Sequence, residues 1–154
     1  MREYKFRGKI RGGVESLSDF VDIPHDENGW VYGHLVDGHI VWDVVEATEE
    51  FIAPEWWVAV DRKTIGQYTG LKDKNGAEIF EGDILQIKIY NSFISDKVVV
   101  SGNAAVEFRD DRFGVQWGRE FAGLSGFYNT TFEIIGNAHD NPALLGASES
   151  GVAE

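Results

Sequence analysis

The 154-residue chain contains no cysteine. A disulfide framework, a thiolate nucleophile and a thiolate zinc site are all excluded, so the fold must be held by burial, and the composition suits a reducing cytoplasm. Long apolar runs are missing as well. No stretch is long enough to span a bilayer, and the basic start "MREYKFRGKI" is not followed by the continuous apolar segment of a signal peptide. Neither secretion nor membrane insertion is expected. Positive charge is the third shortage: 14 Lys and Arg stand against 26 Asp and Glu, a formal net charge of −12. Phosphate binding is driven by cations that release counterions, so nucleic acid is disfavoured as a partner. The acidic excess either solubilises the chain or attracts a basic partner.

Catalytic motifs are absent too. Ser125 in "GLSG" sits between glycines but lacks nucleophile-elbow spacing, and no histidine is placed to serve it. Asp110 and Asp111 are adjacent carboxylates in a turn, a pattern that is ordinarily solvated. The reading expects no enzyme, no cofactor and no metal.

What the chain does have is β-strand pattern. "WVYGHLVDGHIVWDVV", Trp30 to Val45, is rich in β-branched and aromatic residues and turns on Asp37-Gly38, which suits a two-residue type I′ hairpin. That turn predicts Val36 opposite His39, Leu35 opposite Ile40, His34 opposite Val41 and Gly33 opposite Trp42. Leu35, Ile40 and Trp42 then share one face. His34 and His39 become diagonal neighbours on the other, a pair for a metal with no third ligand in view. A further strand runs from Trp56 to Val60 behind Pro54, which suits a strand start or an edge. Adjacent Trp56 and Trp57 point to opposite faces, which makes one core and the other exposed or at an interface. Asp61 and Thr64 are set to cap a single turn.

Helical spacing is scarce. "VESLSDF" offers about two turns and "NPALL" a capped one with proline at its first position. The glycine-dense stretch "IGQYTGLKDKNGAEIFEGDIL", Ile65 to Leu85, reads as turn chemistry. Asn75-Gly76 makes a hairpin tip with its lysines and Asp73 in water, and Glu81-Gly82-Asp83 makes a second turn into "DILQIKIY", whose odd positions face the core. The glycine comes too early for a calcium loop, and the lysine and hydroxyl of a phosphate loop are missing. Later strands are predicted at Lys97 to Val100, Ala104 to Phe108, Phe113 to Trp117 and "TTFEIIGN". Turns are expected at Ser101-Gly102-Asn103 and Asp110-Asp111-Arg112, and a mobile loop at Gly118 to Asn129.

These blocks also carry a likeness. "REYKFRG", "WVYGHLV", "TIGQYTGLKDKNGAEIFEGDIL" and "FEIIGNAHDNPALL", in this order from Met1 to Leu145, resemble the YopX-like proteins of bacteriophages and prophages. The resemblance implies a mainly β protein of a bacterial cytoplasm, of phage-derived origin and homo-oligomeric. It brings no biochemical activity and no catalytic residues.

The expected fold is mainly β: short antiparallel hairpins with a C-terminal SH3-like small barrel and few short helices. Residues 1–62 form an N-terminal hairpin lobe and 63–145 the barrel lobe, the two sharing one core, while 146–154 form a disordered polar tail. Three functional classes follow. The first is a non-enzymatic, self-associating interaction module, in the host cytoplasm, using Trp42, Trp57, Trp117 and Phe121 against copies of itself or a host protein. The second is an acidic inhibitor that mimics nucleic acid, with Glu46, Glu49, Glu50 and Glu55 standing in for phosphates. The third is a nucleic-acid accessory protein. It uses the basic start, where Arg2, Lys5, Arg7, Lys9 and Arg11 face only Glu3, together with Arg109, Arg112 and Arg119, and it stacks bases on Phe113 and Trp117.

Overall fold

The computed structural model describes residues 5–17, 23–47, 52–94 and 97–146. Residues 147–154 of the predicted tail and the acidic Glu49 and Glu50 lie outside them, and Glu46 and Glu55 are placed by their backbone alone. The architecture is mainly β and antiparallel, as the pattern of short alternating segments predicts. The chain divides into two units, Met1–Tyr68 and Thr69–Glu154, a few residues beyond the boundary drawn at 62/63.

In the first unit, β1 (Phe6–Lys9), β2 (Trp30–Val36), β3 (His39–Ala47) and β4 (Ile52–Ala59) are followed by β5 (Gly66–Lys72), which runs on into the second unit. Their order in the sheet is β4-β3-β2-β1-β5. Asp37 and Gly38 both take positive φ, 46° and 75°, the backbone a type I′ turn requires. The register follows from it: Val36 pairs with His39, Leu35 with Ile40 and His34 with Val41. β4 lies at the sheet edge and carries Pro54, where a missing N–H does no harm to the ladder. After β4 the chain folds back on β1, with Arg11 N donating to Ala59 O at 3.0 Å and Asp61 N to Lys9 O at 2.8 Å. A single turn of 3-10 helix at Arg62–Thr64 follows. The Asp61 carboxylate accepts from Lys63 N at 3.2 Å, which is the cap read from sequence.

Ile10, Ile23, Val31, Ile40, Trp56, Val58 and Val60 form this unit's core. On the opposite face of β1, Arg7 is buried and its guanidinium lies 4.6 Å from the Trp30 ring centre, with the Lys9 ammonium 5.8 Å from the same ring. Arg7 therefore serves packing, not the contact surface expected of the basic start, because a planar cation over an indole is favourable where water is excluded.

The second unit contains β6 (Glu78–Phe80), β7 (Asp83–Tyr90), β8 (Val98–Ala105), β9 (Glu107–Arg109), β10 (Arg112–Trp117), β11 (Glu120–Gly123), β12 (Thr130–Asn137) and the one-turn α1 (Ala143–Gly146). Two three-stranded sheets, β12-β7-β8 and β11-β10-β9, contribute to a core of Ile79, Leu85, Ile87, Ala104, Val106, Phe113, Val115 and Leu124. The chain passes from one sheet to the other at fully buried Val106. The sheets do not close into one barrel, an arrangement consistent with the SH3-like expectation.

Two local expectations fail here. Ser101-Gly102-Asn103 is not a turn but the middle of β8, paired with Lys88, Ile87 and Gln86, because a full-length partner strand overrides local turn propensity. Gly118 to Asn129 is not a mobile loop: β11 pairs with β10 from Glu120 to Gly123, and 3-10 helix follows at Leu124–Gly126.

Candidate interaction surfaces

The glycine-dense block is the natural place to look for a site, and its polar groups are used internally. Asp73 is buried, not in water as the sequence suggested. Its Oδ1 accepts from Asn75 N at 2.9 Å and Ala77 N at 3.0 Å, and its Oδ2 accepts from Ile134 N at 3.0 Å on β12. One carboxylate thus closes the β5–β6 turn and ties it to a strand far along the chain. Asp83, also buried, accepts from Phe80 N at 2.7 Å around Gly82, whose φ is 94°. Thr69 Oγ1 donates to Ile79 O at 2.8 Å. These lone pairs are occupied, so the block is structural.

Burial pushes the Asp73 carboxyl up, but the N–H groups of Ile134, Ala77 and Asn75 and the charge of Lys74 outweigh it and hold it below the ordinary value. A depressed folded value contributes stability that is fully present above the unfolded value of about 3.9 and is lost as pH falls through the folded one. Urea midpoints measured from neutral to acid pH are expected to fall more steeply in the native chain than in Asp73→Asn. Parallel curves would refute the linkage.

The residues nominated from sequence divide between support and surface. Arg109 and Arg112 are brought together with Phe121: their guanidinium carbons lie 4.4 and 5.5 Å from its ring centre. Arg109 also donates to Glu107 Oε2 at 3.0 Å and Gln116 Oε1 at 3.1 Å, and Arg112 to Phe121 O at 2.9 Å. These arginines brace the β9-β10-β11 sheet. Arg119 stands exposed in the β10–β11 turn, apart from that brace. Trp117 packs against the core, edge-on to Phe127 at 5.6 Å, and Phe113 is buried, so neither presents a face for base stacking as the nucleic-acid reading required.

In the first unit Trp56 is buried and Trp57 is 61% exposed, the division that alternation predicts. Trp57 borders an open groove of about 450 Å³ whose apolar floor includes Leu17, Ile23, Val58 and Ala59 and whose rim carries Arg11, Ser16 and His39. Trp42, 38% exposed, joins Tyr32, Trp56, Pro24 and Lys5 around a separate hollow of about 280 Å³. No group of three or more metal-ligating side chains occurs among the described residues.

Sequence reasoning missed the most exposed large apolar side chain among the described residues. Phe93 is 96% exposed and Ile94 53%, between β7 and β8. The loop has built-in support: Asn91 Oδ1 accepts from Phe93 N at 2.8 Å and Ile94 N at 3.0 Å, and Asn129 Nδ2 donates to Ser92 Oγ at 3.0 Å. Beside Asn129, Tyr128 is 81% exposed. The signal available in sequence was Asn91 two residues ahead of an apolar pair, an Asx-turn spacing.

The model of the YopX protein family matches residues 24–146. The chain belongs to the YopX family. Among solved structures, this YopX-family chain is similar to protein EF1440 from Enterococcus faecalis, with 25% identity, a TM-score of 0.53 and coverage of 94% of this chain and 99% of that one. It is also similar to protein yopX from Bacillus subtilis, with 19% identity, a TM-score of 0.47 and the same coverages of 94% and 99%. No curated protein matches. The family match contains the whole block from Ile65 to Leu85. No described helix is long and apolar enough to cross a membrane.

Proposed function

We propose that this YopX-family chain is a non-enzymatic interaction module that associates with copies of itself in the bacterial cytoplasm, with the phage or prophage origin that its sequence resemblance implies. The observation that carries the reading is the tip formed by Phe93 and Ile94 with Tyr128 nearby. Large apolar side chains stand in water where the Asn91 side chain holds the Phe93 and Ile94 N–H groups and the Asn129 side chain holds the Ser92 hydroxyl. Ordering a loop to present apolar groups costs free energy that burial against a partner returns. A second copy meets the requirement by self-complementary contact of the same tip, as two-fold dimers do. Exposed Trp57 and Trp42 are further surfaces for a host protein.

Sedimentation equilibrium is the test. The native chain is expected to run as a multiple of its own mass that survives high salt, and the Phe93→Ser, Tyr128→Ser double variant is expected to dissociate at least about tenfold more readily with its far-UV spectrum unchanged. A native monomer at all concentrations sinks self-association. A salt-labile complex with a basic host protein would instead support the acidic-inhibitor reading, which rests on the net charge of −12.

A further inference from the structure

The rim of the Trp57 groove combines features that the self-association reading does not use. Arg11 is held by its backbone: its N–H donates to Ala59 O at 3.0 Å and its carbonyl accepts from Ser16 Oγ at 2.9 Å. Its guanidinium makes no ion pair among the described residues. His39 is fixed by Nδ1, 2.9 Å from Asp37 O, which leaves Nε2 as its open polar atom. Asp37 is itself drawn to Arg62 at 3.7 Å. Trp57 completes the rim with an indole that is mostly exposed and packs on no other ring among the described residues.

We propose that this groove binds a small planar aromatic anion, with its ring on the Trp57 indole and its carboxylate or phosphate on Arg11. The guanidinium fork matches either oxyanion with two parallel hydrogen bonds, and the indole face takes a flat ring by offset stacking. Leu17, Ile23, Val58 and Ala59 offer the ring apolar surface beside the indole, and Arg11 and His39 supply the polar contacts at the edge of the open groove. Charge sets the selectivity: a ring with a cationic tail meets Arg11 as a like charge and is rejected.

The test is calorimetric titration of the full chain with indole-3-acetate, AMP and tryptamine. At least one of the two anions is expected to bind and tryptamine not to, the better anion showing whether carboxylate or phosphate is preferred. Arg11→Gln and Trp57→Ala are each expected to weaken that binding by about tenfold or more, and Trp57→Phe by less because it keeps a ring. All three variants are checked by far-UV spectrum. Equal binding of tryptamine, failure of both anions, or indifference to Arg11→Gln overturns the proposal. So does a single-stranded oligonucleotide that binds where both small anions fail, since it would assign the rim to nucleic acid. The outcome is independent of the oligomer, whose tip lies in the other unit.

Discussion

Asp73→Ala is expected to lower the stability of the second unit by about 3 kcal/mol, among the largest losses available from a polar truncation. Three backbone N–H groups lose their acceptor together, those of Asn75, Ala77 and Ile134. Each such loss costs about 1 kcal/mol or more where water does not replace the partner. The first two hold the β5–β6 turn and the third holds that turn to β12, so local and long-range order fail at once. Asp73→Asn keeps the shape and one acceptor oxygen but turns an NH2 toward an N–H, and about 2 kcal/mol is expected to go. Urea unfolding followed by far-UV circular dichroism measures both. A midpoint for Asp73→Ala within error of native would show that water substitutes for the carboxylate.

Gly33→Ala is expected to be at least as damaging, by about 3 kcal/mol or more, for a purely steric reason. A methyl at Gly33 would stand 2.3 Å from the backbone oxygen of Val41 and 3.1 Å from Ile40 Cγ2. The first of these is main chain in the paired strand, with no flexible end to swing aside. β2 and β3 must part, and β2 is also paired through Gly33 to Phe6 of β1. Gly76→Ala supplies the contrast. Its φ of 83° strains an alanine, but the methyl meets nothing within 4 Å, so a loss of about 1–2 kcal/mol is expected there. Similar losses for the two would mean that the β2–β3 pair yields easily. Hydrogen exchange at the amides of β2 and β3 shows where the damage falls.

The two substitutions also mark what was legible in the sequence. The turn at Asp37-Gly38 and the three pairs nearest it were readable from the sequence, because a two-residue turn fixes register and register fixes faces; the fourth predicted pair, Gly33 with Trp42, is not part of the observed ladder. The exposure of Trp57 over Trp56 followed from alternation. Asp73 was not readable, since one of its partners, Ile134 N, lies 61 residues away and nothing local distinguishes a solvated turn acid from a buried one. The Arg109–Phe121–Arg112 stack was hidden for a related reason: basic residues near aromatics read as a contact surface until strand pairing shows that they hold their own sheet. Phe93 was lost in the opposite sense. An apolar pair beside strands reads as core, and only the placement of the loop shows it standing in water.

Four of the five tryptophans, Trp30, Trp42, Trp56 and Trp57, belong to the first unit, and Trp117 alone to the second. Intrinsic fluorescence is therefore a lopsided witness. Emission reports chiefly on the first unit, as a composite of buried and water-facing indoles, while melting of the second unit is visible only through one indole set edge-on to Phe127. Trp117→Phe would make the second unit silent in tryptophan emission, and a chain that keeps Trp117 as its one tryptophan would report that unit cleanly, so the two halves can be followed by choice of chromophore.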